Sequence, residues 1–239
     1  MRNVIICILC VAWLLVSCQG NEVIPEEHAM GRLELSLSKN GRPVLRTRSI
    51  DSDLTVVITN DKNSSTTYQG STMAELLELP VGNYSIKAFT DNQESWINAN
   101  NGKGEGCYYI ESSFEVKEDQ TTRIDLNVPM TNYAVTLTLP ELFHDLFSSY
   151  TFTVKSGTRS INIEEGEKAY FKANLGFSYR LEATNIDNAT HNHTFYPVDD
   201  VAAGKLYNIQ YIYDTDASSG GIDIVIKDDM EDHDQDVPL

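Results

Sequence analysis

The sequence is short of basic side chains, and past residue 18 it is nearly empty of cysteine. Its 18 Lys and Arg face 35 Asp and Glu, a formal net charge of −17 at pH 7. Such a surface repels phosphate backbones and anionic head groups, which excludes nucleic acid as a partner. Cys7, Cys10 and Cys18 belong to the N-terminal apolar segment or its end, so Cys107 is left without a mate and the folded body has no disulfide. Long apolar runs are missing too. The longest, Val4–Val16, has the length of a signal segment and is too short to span a bilayer comfortably. There is no Gly-x-Ser-x-Gly elbow, Walker loop, His-Glu-x-x-His helix or dinucleotide fingerprint. Glu164-Glu165 and Asp199-Asp200 are carboxylate pairs, but neighbours in a strand point to opposite faces and cannot flank one scissile bond. His191 and His193 lack a third ligand nearby, and the acidic stretch 228–236 lacks the glycine spacing of a calcium loop. These absences predict no metal, no cofactor and no catalysis.

What is present begins with an address. Arg2 precedes the apolar run, which closes on Leu15-Val16-Ser17-Cys18. An aliphatic residue, a small residue and then a cysteine resemble a bacterial lipobox. The resemblance implies a signal peptide over residues 1–17, diacylglycerol on the Cys18 thiol, cleavage before it and acylation of the new amine. More than one acyl chain makes a stable membrane anchor. Gln19 follows where an Asp would signal inner-membrane retention, so the expected location is the outer membrane, at its cell-surface or periplasmic face. Residues 18–30 read as a polar tether.

Beyond the tether the period is two almost throughout, which predicts strands. Leu33, Leu35 and Leu37 share one face. So do Tyr84, Ile86 and Ala88, after a turn built on Pro80 and Gly82. The rhythm returns 95 residues later in Tyr179, Leu181 and Ala183. Tyr133–Leu139 likewise echoes residues 31–38. Two copies of one strand pattern predict two copies of one β-module, over 31–130 and 131–227, with an acidic tail from 228 to 239. Met73–Leu79 reads as a helical turn or a strand. Pro140–Phe147 reads as a short helix, with proline at its start. Cys107, just before the predicted strand Tyr108–Val116, reads as a buried, inert thiol. Ile222–Lys227 is the last strand of module two, or a strand offered to a partner edge.

Two stretches carry candidate sites. Asp91–Gly106 is the longest irregular segment, and with it Trp96, Tyr108 and Tyr109 form a candidate ligand-binding set that would stack on a sugar face. Such rings in a sandwich are more often core. Residues 42–52 are a basic loop in an acidic protein, containing Arg42, Arg46 and Arg48.

Taken together, Gly31-x-Leu33-x-Leu35-x-Leu37, Leu79-Pro80-x-Gly82-x-Tyr84, Trp96, Phe114-Glu115-Val116, Asn132 before Val135-x-Leu137-x-Leu139, and Gly220-Gly221-Ile222 resemble a Bacteroidetes lipoprotein family of unknown function. That family is similar in architecture to the FimA/Mfa-like (type V) fimbrial proteins. The resemblance spans roughly residues 31–230 and implies an all-β fold of two tandem transthyretin-like sandwich modules with one short helix. It also implies a trypsin-like cut after an arginine in the first strand region, for which Arg46 and Arg48 are the candidates. Arg42 is poorer because Pro43 follows it. Losing the first strand would open a groove that a neighbour's strand fills. The expected function is therefore a cell-surface adhesion or fimbria-associated structural subunit, with fimbrial or other surface proteins as partners. The alternative is a carbohydrate- or peptide-binding surface lipoprotein using the Trp96 loop.

Overall fold

The computed structural model of the protein describes residues 29–39, 50–74, 76–90, 95–192, 194–213 and 222–228. The signal segment, Cys18, the tether up to residue 28, Arg42, Arg46, Arg48, His193 and the tail from 229 lie outside the described residues. In chain order the strands are β1 (Met30–Lys39), β2 (Thr55–Asn60), β3 (Ser65–Gln69), β4 (Leu76–Pro80), β5 (Gly82–Phe89), β6 (Tyr109–Val116), β7 (Thr121–Val128) and β8 (Asn132–Thr138). They continue as β9 (Phe147–Ser156), β10 (Arg159–Ile163), β11 (Lys168–Lys172), β12 (Phe177–Asn185), β13 (Thr190–Asn192), β14 (Tyr196–Val198), β15 (Leu206–Tyr213) and β16 (Ile222–Asp228). A single helical turn, α1 (Phe143–Leu146), is the only α-helix among the described residues. No described helix is long and apolar enough to cross a membrane. The fold is all-β, as the alternation predicts.

The strands form two sandwiches with matching wiring. In the first, the sheet β4-β1-β7 faces β3-β2-β5-β6; in the second, β11-β8-β15-β16 faces β10-β9-β12, with β13 and β14 both paired to β12. In each, the opening strand has one antiparallel and one parallel neighbour: β1 with β4 and β7, β8 with β11 and β15. The element without a counterpart is β16, which lies antiparallel on the outer edge of β15.

Period-two burial drives this arrangement. Leu33, Leu35 and Leu37 of β1 are fully buried, and Ile86 and Ala88 of β5 meet them across the sandwich in one core cluster. Tyr179, Leu181 and Ala183 do the same in the second core. Pro80 closes β4 in one sheet and Gly82 opens β5 in the other, so this stretch is an arch between sheets. Of Met73–Leu79, read as a helical turn or a strand, the part from Leu76 is strand, β4 (Leu76–Pro80), because its backbone completes the β1 ladder. The 140–147 helix is shorter than its proline and apolar spacing predict, since the β9 ladder with β12 begins at Phe147. Gly31 is required by close approach: a Cβ there would stand 2.2 Å from the Lys117 carbonyl oxygen.

The second core is built on Tyr133. Its ring lies 5.7 Å from Phe171, 5.8 Å from Phe177 and 5.6 Å edge-on from Tyr207. Its hydroxyl donates to the Leu175 carbonyl oxygen and meets Ser156 Oγ. Burial pushes this phenol up to about 12.

The path of β1 gives the molecule a direction. Val81 N–H donates to Ala29 O and Asp119 N–H to Met30 O, so the described chain starts beside the β4–β5 and β6–β7 connections. Lys39 and Val128, at the other end of the β1–β7 ladder, adjoin the crossing into β8. Strand β8 leads on into α1.

Leu35→Ala should cost about 3 kcal/mol of stability, the usual cost of a buried leucine truncation. It should lower the urea midpoint without changing the slope. Gly31→Ala, which removes no contact, should also lower it.

Candidate functional site

The loop 91–106 is where sequence reasoning puts a ligand, and its described part forms two tight turns. Ser95–Asn98 and Asn100–Gly102 are 3-10 helical turns. Asn100, Asn101, Gly102 and Gly104 all have positive φ, a conformation that asparagine and glycine accept most readily. Asn100 Nδ2 donates to Gly104 O at 2.8 Å and closes the second turn. The Asn/Gly richness of this stretch is therefore turn chemistry.

Those turns dock on the second sandwich. Tyr170 N–H on β11 donates to Lys103 O at 2.8 Å. Arg159, the first residue of β10, donates from Nη1 to Ile97 O at 3.1 Å and from Nη2 to Gly102 O at 2.8 Å. Its guanidinium stands 5.6 Å from the Phe171 ring, its Nε is buried without a hydrogen-bond partner, and burial lowers its pKa. Lys103 forms an ion pair with Glu167. That carboxyl is held below its ordinary range by the Glu164 N–H first and Lys103 second.

Asn132 completes the junction. It is 2% exposed. Its Oδ1 accepts from Cys107 N–H at 3.0 Å and its Nδ2 donates to Glu105 O at 2.8 Å. Its backbone oxygen accepts from Gly204 N–H, so one residue serves both modules. Cys107 is buried and lies just before β6, as expected.

The three candidate ligand aromatics are not gathered on one face. Trp96 is 4% exposed and touches the position of Gly104, whose Cβ would also meet Tyr170. Tyr108 is half-buried against the first core, with Lys39 Nζ 4.8 Å from its ring centre. Tyr109, the next residue along an extended chain, points the other way, is 42% exposed and hydrogen-bonds Glu111. Among the described residues no group of three or more His, Cys, Asp and Glu is placed to hold a metal ion. What sequence reasoning missed is Arg159, whose partners are backbone carbonyls far away in the chain.

The chain belongs to a family described as a domain of unknown function (DUF4493), whose model matches residues 29–239. No curated protein matches it in sequence. Among solved structures it is similar to a candidate cell adhesion protein from Bacteroides uniformis, at 12% identity and a TM-score of 0.48 over 84% of this chain and 99% of that one. It is similar to a fimbrial assembly protein from Parabacteroides distasonis, at 10% identity and a TM-score of 0.41 over 83% and 96% of the two chains. A third is a candidate polysaccharide binding protein from Bacteroides thetaiotaomicron, at 12% identity and a TM-score of 0.39 over 84% and 99%.

Trp96 is the only tryptophan after Trp13, so its emission reports on the junction. Arg159→Ala should red-shift that emission under native conditions, and Arg159→Lys should not restore it, because one ammonium cannot reproduce the planar fork. Glu167 adds a pH dependence. Its lowered native pKa means that its contribution is complete above the unfolded value, 4.5, and is lost as pH falls through the native value. In Glu167→Gln that acid-side change in emission should disappear.

Proposed function

We propose that the protein is a lipid-anchored outer-membrane subunit of an adhesive or fimbria-associated assembly, joined to its neighbours by strand and loop contacts, and that it catalyses no reaction. The observation that carries this reading is the open edge of β7. Among the described strands β7 pairs with β1 alone, while its counterpart β15 is flanked by β8 and β16. An open edge presents a row of backbone donors and acceptors to an added strand. Ile124 and Leu126 on β7 are only partly buried, so an added strand would also cover apolar surface.

The first strand fits a second mode of assembly. Strand β1 is central in its sheet and carries three fully buried leucines, so its removal after Arg46 or Arg48 would leave a groove lined by the first core. Filling that groove with a neighbour's strand would recover both the ladder and the burial. The lipobox ending at Cys18 supports the anchored state for any chain that is not cut. Carbohydrate or peptide binding through the Trp96 loop has weaker support, because the Trp96 ring is enclosed at the junction.

The intact mass of the protein from native outer membranes tests this. The expected species begins at Cys18 and carries acyl chains; a chain starting at Thr47 or Ser49 identifies the processed, strand-accepting form. A soluble, uncut chain without lipid contradicts both the address and the assembly.

A further inference from the structure

The second sandwich has a cleft that borders the junction, sharing Lys103 and Glu167 with it, and that the open edge of β7 does not use. The β9–β10 ladder ends where Phe152 pairs with Ile163, yet β9 continues on its other side against β12 as far back as Phe147. Residues 147–151 thus have one backbone edge that meets no described strand. Along it runs a cleft of about 590 Å³, lined by α1 and by the turn after β10, which meet where His144 Nε2 stands 3.4 Å from Glu165 Oε2. That volume is within the usual range for small-ligand sites.

The walls differ in chemistry. On one side stand the rings of Phe147 and Tyr150, both half-buried and backed by the fully buried Phe143, whose centroid lies 4.5 Å from Phe147 and 5.7 Å from Tyr150. The rest of the lining is polar: Asn162, whose Oδ1 accepts from Thr153 Oγ1, with Glu164 and Glu167, and Lys103 contributed by the first module. The hydroxyl-bearing Ser148, Ser149 and Thr151 line the open strand. Donors and acceptors therefore stand beside flat apolar rings. An aliphatic chain would leave these polar groups unpaired. A phosphate or a sialylated sugar would face more carboxylate than ammonium.

We infer that this cleft binds a neutral oligosaccharide, with a sugar ring against Tyr150 and Phe147 and vicinal hydroxyls shared among Asn162, Glu164 and Lys103. A sugar has the matching pattern: an apolar face over aromatic carbon and a rim of groups that both donate and accept. The cleft is formed by the second sandwich together with Lys103 of the first module. Its presentation outward rests on the surface reading above; the binding itself does not.

The test uses the purified mature protein in detergent on a printed array of neutral oligosaccharides, followed by calorimetric titration of the strongest hit. Saturable binding is expected, weakened at least tenfold by Tyr150→Ala and by Asn162→Ala. The second variant removes an exposed side chain whose Oδ1 accepts from Thr153 Oγ1 at 2.9 Å, a smaller loss than the Tyr150 ring, so it guards against misfolding in the first. An unchanged Trp96 emission in both shows that the fold survives. Absence of saturable binding, or binding that survives both substitutions, would overturn the inference. Sugar binding by a protein that carries no lipid would overturn only the address.

Discussion

Arg159 reads two carbonyl oxygens of the neighbouring module, those of Ile97 and Gly102, and Asn132 reads a donor and an acceptor of the same segment. These four hydrogen bonds set how one sandwich meets the other. One is buried and three are partly buried, where an unmatched partner is costly, so the segment must hold one conformation for the set to be satisfied. Positive φ at Asn100, Asn101, Gly102 and Gly104 supplies that conformation. Trp96 fills the space beneath. The result is a connection reinforced at several points, in place of a bare linker between Val128 and Asn132, and it gives the protein two ends with different chemistry.

The ends differ because the repeat is imperfect. Both modules place their first strand between an antiparallel and a parallel neighbour, and both bury the same Tyr, Ile or Leu, Ala face on β5 and β12. The second module adds β16 to one sheet, and its β10 stops short of the full length of β9. The first difference leaves β7 open as a strand acceptor. The second leaves the cleft beside Tyr150. Each candidate surface is thus a place where a ladder present in one part of the fold is unfinished in another, and where the backbone is left without its usual partner.

Much of the architecture can be read from local alternation. Leu33, Leu35 and Leu37 identify β1, and Tyr84, Ile86 and Ala88 announce a face that recurs at Tyr179, Leu181 and Ala183, because burial on one side of a strand writes a period of two into the chain. The pairing of those strands is not written locally. Nothing at Thr121–Val128 announces a parallel register with β1, and the choice of strand over helical turn at 76–80 depends on the ladder it joins. The junction is harder still. Ile97 and Gly102 contribute main-chain oxygens, which every residue has, to an arginine 62 and 57 positions away. Trp96 has the composition of a binding-loop aromatic, and only its enclosure distinguishes packing from recognition.

The most direct test of this account is the distance distribution between spin labels at Glu118→Cys, in the β6–β7 connection, and Asp187→Cys, beyond β12, one in each sandwich. Both positions are exposed, whereas Cys107 is buried and shielded from labelling. A single narrow distribution that broadens when Arg159→Ala is added is the predicted result. A broad distribution in the otherwise unaltered protein would mean that the two sandwiches swing freely, and would contradict a junction held by Arg159 and Asn132.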